Sequence, residues 1–273
     1  MSETKSHRYK VAVIGGGTGL PVILRGLKRI DADITAIVTV ADDGGSSGAI
    51  RDYIDVVPPG DIRNCMVALS DADELLLDVF QYRFNTDDDF LAGHAIGNLL
   101  IAAFDASAQG DNPGGGTQAS WTFPDTPAAD LPRTSRAAEL PADNDAAVAA
   151  LHALFEDGTI AVGESKIARH RKKIQQVLVT TMQGEPAIQA TPHVVEAIEQ
   201  ADLIVLGPGS LYSSILPNLM IEEIGQAILD TKAEVAYVCN IMTQRGETER
   251  FTDSDHVEVL QRHLGRPFID TVL

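Results

Sequence analysis

Glycines at positions 15, 16, 17 and 19 stand between the apolar run of residues 11–14 and a helical pattern that begins at Leu20. Glycine lets the backbone turn sharply and bring N–H groups within reach of an anion, and the helix that follows adds a positive dipole end. Gly16, Gly17, Thr18 and Gly19 are therefore candidate phosphate holders; a merely tight structural turn is the plainer reading. The dinucleotide fingerprint G-x-G-x-x-G would need glycine at position 20, where leucine stands, and no Gly-Lys-Ser/Thr follows for a P-loop. A second turn, Gly207, Pro208, Gly209 and Ser210, repeats the logic after the apolar residues 203–206, opening a helix that bears Ser213 and Ser214.

Carboxylates come next. Residues 39–53 deliver Asp42 and Asp43 at a strand end, followed by Gly44 and the hydroxyls of Ser46 and Ser47. Such carboxylates accept ribose hydroxyls or hold Mg2+, and a Gly-Gly-Ser-Ser turn donates to phosphate oxygens; alternatively, Asp42 or Ser46 caps the next helix. In residues 58–70, Asp61 reads as a helix N-cap with Arg63 and Asn64 in the first turn. Capping accounts for Asp61 but not for its two neighbours, which leaves them a place facing a site. His94 precedes a short helix, and Asn98 lies four residues later on the same face. The histidine is a candidate general acid or phosphate donor, or only a turn residue. After another apolar strand, Asn240, Thr243 and Gln244 offer groups suited to a base or a sugar, or form an ordinary polar loop. There is no G-x-S-x-G elbow, no H-E-x-x-H and no Cys/His ligand set, so no catalytic residue is assigned.

Short apolar runs alternate with helical patterns, the mark of βα units feeding a mostly parallel sheet. Strands are expected at residues 10–14, 34–40, 177–180, 203–206 and 235–239, apolar enough to be buried on both faces. Helices are expected at 20–29, 62–68, 74–84, 96–104, 194–200, 213–230 with a break near Pro217, and 255–263. Four of the polar groups begin where such a strand ends, and in open α/β sheets those ends converge on one crevice. The expected fold is α/β, a Rossmann-like three-layer sandwich in one nucleotide-binding domain over residues 1–273. Residues 105–150 stand apart: five of the 13 prolines fall there, and the only large aliphatics are Leu131, Leu140 and Val148. So little apolar surface suits a loop or linker, or a lid anchored by Trp121 and Phe123.

The 273 residues carry 21 basic and 39 acidic side chains, a formal charge of −18. Nucleic acid and anionic membrane surfaces would be repelled, although a small anion in a local pocket would not. Two cysteines argue against a disulfide scaffold, and the polar start carries no signal-peptide pattern, so a cytoplasmic chain is expected. Homo-oligomerisation is left open. Residues 164–176 hold a basic cluster that either docks an acidic partner or phosphate, or is a solvated polar stretch.

Taken together, GGGTGLPVILRGLK, TVADDGGSSGAIRD, PPGDIRNCMVALS, GHAIGNLLIAA, EDGTIAVGESKI, IVLGPGSLYSSILPN and AEVAYVCNIMTQRGETE resemble the gluconeogenesis factor family (YvcK), within the wider group that includes the 2-phospho-L-lactate transferases (CofD). The resemblance covers about residues 10–104 and 151–273. It implies a Rossmann-like sheet that binds a nucleotide, with UDP-sugars such as UDP-N-acetylglucosamine as the ligand class. It also implies a bacterial role in growth on gluconeogenic carbon sources, cell shape and peptidoglycan synthesis. The transferase cousins use Mg2+ and a nucleotide diphosphate substrate, so a Mg2+-dependent transferase is the alternative. Carried over by motif, residues 16–19 and 207–210 would hold phosphates, Asp42 and Asp43 metal or ribose, and Asn64, His94 and Asn98 would line the pocket. Family members carry a mainly helical segment between residues 104 and 151, unlike this chain, and continue past residue 273 with another strand and helix.

Overall fold

Strand β1 (Tyr9–Gly15) is apolar on both faces: Val11, Ala12, Val13 and Ile14 are all buried. A strand of that kind belongs inside a sheet covered on both sides. The computed structural model, which describes residues 8–54, 56–86, 91–108, 135–136, 149–181, 188–190 and 192–273, places it centrally. On one side β1 pairs with β2 (Ala32–Val38), beyond which lies the two-residue strand β3 (Ser135–Arg136). On the other side it pairs with β7 (Leu203–Leu206), followed by β8 (Glu234–Tyr237) and β9 (Thr271–Val272). Every pairing in this sheet is parallel, in the order β3-β2-β1-β7-β8-β9. The chain leaves β1 toward β2 and later returns to β1's opposite side as β7, so the topological switch point lies between β1 and β7.

Period-two alternation divides the sheet's side chains between two cores. Val11, Val13, Ile34, Ala36 and Val205 pack with Leu20 and Leu24 of helix α1 (Leu20–Leu27) and Cys65, Ala68 and Leu69 of α3 (Pro59–Leu69). Ala12, Ile14, Ile204 and Leu206 belong to a larger core on the opposite face. That core includes α7 (Pro192–Glu199), α8 (Leu216–Leu219), α9 (Glu222–Asp230) and α10 (Asp253–Leu264). In an outer group, α2 (Gly45–Arg51) and α5 (Ile96–Ala108) pack on α3, and α4 (Glu74–Gln81) packs on α5.

Several expectations are corrected. The segment at 177–180 is not a strand of the parallel sheet. It lies within β6 (Ile174–Thr181), which pairs antiparallel with β4 (Ala149–Phe155), and β4 pairs antiparallel with β5 (Ile160–Val162). This second sheet shares the larger core through Leu151, Phe155, Ile174 and Val177. Between β5 and β6, α6 (Glu164–His170) occupies part of the basic stretch, its Ile167 fully buried, so the stretch is a docked helix and not a wholly solvated run. The break expected near Pro217 falls at residues 220–221: Pro217 fits the first turn of α8, where its missing N–H costs nothing. Ahead of it, Leu211–Ile215 form a π-type turn in which the Ile215 amide donates to the Ser210 carbonyl at 3.1 Å. Helix α5 runs past residue 104 because Asp105 is buried and accepts a hydrogen bond from the Val57 amide at 2.9 Å. Most of residues 105–150, Trp121 and Phe123 included, lie outside the described residues. Among those described, no helix is long and apolar enough to cross a membrane.

Candidate functional site

The two glycine turns meet at the switch point. The Gly207 amide donates to the Ile14 carbonyl at 2.8 Å, and the Thr39 amide to the Gly15 carbonyl at 3.0 Å, so three strand ends are stitched together. Glycine is required at 19 because a Cβ there would lie 2.8 Å from the Pro208 carbonyl oxygen. At 16 a Cβ would meet the Thr39 methyl at 2.5 Å and an Asp61 carboxylate oxygen at 3.0 Å. Thr18 is exposed at the mouth of the first turn. In the second turn, the side-chain amide of Asn240 donates to the Gly209 carbonyl at 2.8 Å, and the Ser210 hydroxyl donates to Gln244. Asn240 and Gln244 are thus tied to the turn at the end of β7.

Asp61 is not an N-cap. Helix α3 starts earlier, at Pro59, with Pro58 as its cap, because proline's fixed φ suits a first turn. One turn in, the Asp61 carboxylate reaches across to accept the Gly17 amide. The amide that the sequence offered to a phosphate is therefore held by the protein's own carboxylate. Burial raises the Asp61 pKa, the Gly17 amide pulls it down, and the field of Asp42 raises it again.

The two adjacent aspartates have separate duties. Asp42 Oδ1 accepts from the Gly44 amide at 2.9 Å in a tight Asx turn, and its carbonyl accepts from Arg51 Nη1 at 2.7 Å. Asp43 Oδ1 accepts from the Ser165 amide at 2.7 Å, which makes it the cap of α6, 122 residues away in sequence. Through that contact α6 brings Glu164 toward Asp42, Asp61 and Asp43. Burial, and then the field of Asp42, push the Glu164 carboxyl up to about 8, against a hydrogen bond from the buried Ser213. The sequence reading missed Glu164 because its neighbours lie on remote elements; only the glycine before it marks a helix start. Among the described residues, no group of three or more His, Cys, Asp or Glu side chains is arranged to hold a metal ion.

A hydrogen-bonded chain joins the remaining candidates. Arg63, 5% exposed, donates from Nη1 to Asn98 at 2.8 Å and from Nη2 to Asn64 at 2.7 Å. Asn98 Nδ2 donates to Ser46 Oγ at 2.9 Å, and Ser46 Oγ meets His94 Nδ1 at 2.9 Å. Ser47 Oγ accepts from the Gly60 amide at 3.0 Å, tying α2 to the start of α3. Ser46 and Ser47 therefore brace their surroundings, and neither caps α2, whose N-cap is Gly44. The arrangement brings together two glycine turns, the carboxyl groups of Asp42, Asp43, Asp61 and Glu164, and a rigid polar wall.

The family model described as 2-phospho-L-lactate transferase CofD matches residues 11–273. A relative from Streptococcus pneumoniae, provisionally named a gluconeogenesis factor, is 54% identical over 272 residues, covering 98% of this chain and 78% of its own. The Bacillus subtilis gluconeogenesis factor is 47% identical over 267 residues, again 98% and 78% of the two chains. A solved structure of a UPF0052-family protein from Bacillus halodurans superposes with a TM-score of 0.81 at 42% identity. It covers 98% of this chain and 80% of that one.

Proposed function

The chain belongs to the CofD family, among the gluconeogenesis factors, and from that premise we propose that its crevice binds a nucleotide-sugar of the UDP-N-acetylglucosamine kind in a regulatory role. The single observation that carries this reading is the pair of glycine turns at the ends of β1 and β7, packed on one another at the switch point. A diphosphate is the ligand that uses two such turns at once. Asn64, His94, Asn98 and Asn240 supply the polar walls that a sugar or base requires. Growth on gluconeogenic carbon, cell shape and peptidoglycan synthesis are the processes such binding would serve.

Asp42, Asp43 and Asp61 make the crevice acidic, which disfavours a bare diphosphate. Mg2+ commonly takes one or two carboxylates, with phosphate oxygens and water completing its shell, and it would neutralise charge on the diphosphate. Asp42 fits that role with its second oxygen. Asp43 keeps a second oxygen in the same way, its Oδ1 holding the Ser165 amide as Asp42 Oδ1 holds that of Gly44. A second reading, a Mg2+-dependent transferase acting on a nucleotide diphosphate, is favoured by the proton that Glu164 retains beside the crevice and by the name of the matching family model.

Calorimetry with UDP-N-acetylglucosamine, with and without Mg2+, separates the readings. The regulatory reading expects tight binding, at least tenfold weaker in EDTA, with the ligand recovered intact after long incubation. Asp42→Asn is expected to weaken binding about tenfold, as losing one charged ligand or hydrogen bond does. Mg2+-dependent consumption of the ligand supports the transferase; a flat titration sinks both.

A further inference from the structure

Outside the crevice, a cavity of about 270 Å3 opens between the turn that joins α6 to β6 and the loop after β8, lined by Arg171, Lys172, Lys173, Glu247, Arg250 and Phe251 among others. Lys172 is paired with Asp157 at 2.7 Å and Lys173 with Glu156 at 2.7 Å. Neither Arg171 nor Arg250 has a partner among the described residues. These two arginines are also the only non-glycine residues described with positive φ, 50° and 68°. A left-handed backbone is held at a cost in any residue that carries a Cβ. Both arginines line one cavity with exposed side chains.

Behind the cationic rim lies the opposite deficiency. Glu247 is 4% exposed; its Oε1 accepts from Gln244 Nε2 at 3.0 Å, while Oε2 is buried without a partner. The Tyr212 ring packs edge-on against Phe251 with centroids 6.5 Å apart, and its buried hydroxyl also lacks a partner. Buried polar atoms are nearly always satisfied, so the Glu247 oxygen in the cavity wall points to a missing donor. An anion alone would meet the arginines but would set a second negative charge against Glu247. A ligand that carries both a phosphate and a hydroxyl answers both needs at once. The volume lies below the roughly 300–1,000 Å3 of ordinary ligand pockets, too small for a nucleotide-sugar.

We propose that this cavity is a second site, outside the crevice, for a small phosphorylated sugar, its phosphate held by Arg171 and Arg250 and a hydroxyl donating to Glu247 Oε2. The test is calorimetry on the full chain with a hexose 6-phosphate, inorganic phosphate and the free hexose. Hexose 6-phosphate is expected to bind, inorganic phosphate about tenfold or more weakly than it, and the free hexose not measurably. Paired substitutions Arg171→Asn and Arg250→Asn remove the charge while keeping a residue that tolerates left-handed backbone. They are expected to weaken hexose 6-phosphate at least tenfold with circular dichroism unchanged. Glu247→Gln should bring its affinity down toward that of inorganic phosphate. Undiminished binding by the double variant, or no binding by the native chain at 10 mM, on the order of the weakest useful affinities, overturns the site. Equal affinity for inorganic phosphate overturns the role of Glu247. Titration with UDP-N-acetylglucosamine in parallel reports on the crevice separately, so failure at one site is not mistaken for failure at the other.

Discussion

Glu164 keeps a proton that it would lose in an unfolded chain, since burial and then Asp42 lift its carboxyl from 4.5 to about 8. A carboxyl raised in the folded state contributes stability that is complete below the unfolded value and disappears as pH rises through the folded one. The native chain is therefore expected to lose thermal stability between about pH 4.5 and pH 8, with little further change from Glu164 above that. Asp61 and Glu247, raised by burial in the same direction, add to that loss. Glu164→Gln should flatten the curve and melt a few degrees above the native chain at pH 9; parallel curves in scanning calorimetry would remove Glu164 from this role. Arg63 is judged by its geometry. Its fork spans Asn64 and Asn98, which a single ammonium cannot do. Arg63→Lys is expected to cost about 2 kcal/mol in urea titrations by leaving buried amide oxygens unpaired. Both residue types stand in the sequence, yet neither role was legible there. Arg63 was given a place facing a site from its position alone; the fold buries it and spends its fork on Asn64 and Asn98, two of the candidate residues.

Capping shows the same division among the elements. Helix α10 announces itself: Thr252 and Asp255 form a reciprocal capping box, and Gly265 closes the far end at φ 81°. Helix α6 has no local cap, because Gly163 offers no side chain and Asp43 supplies the acceptor from another element. Asp43→Ala is accordingly expected to cost about 1 kcal/mol. It should speed amide exchange through residues 164–170 by roughly fivefold, a similar free energy, while exchange in β1 keeps its rate. Uniform acceleration would mean that α6 is held by Ile167 packing and not by its cap. Helices α1 and α3 to α5 could be read from apolar spacing. Helix α2 could not, since Gly-Ser-Ser-Gly carries no periodic face, and β5, three residues long, falls below any pattern. The antiparallel sheet was missed for a related reason. A buried apolar run such as β6 has one composition in either sheet, and its partner decides the direction.

For the molecule as a whole, the formal charge of −18 and the carboxylates around the crevice act together on any approaching anion. The association rate of a UDP-sugar measured by stopped flow is expected to rise severalfold between roughly 0.01 and 0.15 M salt, as the Debye length contracts from about 30 to about 8 Å. A falling rate would place a locally positive field at the entrance. The parallel α/β layout and both glycine turns were readable in the linear text, because each depends on a few adjacent residues: an apolar run, a glycine where backbones crowd, a helix start. The order of the strands, the carboxylate of Asp61 on Gly17, the reach of Asp43 to Ser165 and the arrival of Glu164 were not. Those are contacts between segments 44 to 122 residues apart. No local propensity encodes such a meeting; it follows from which faces bury together once the chain has folded.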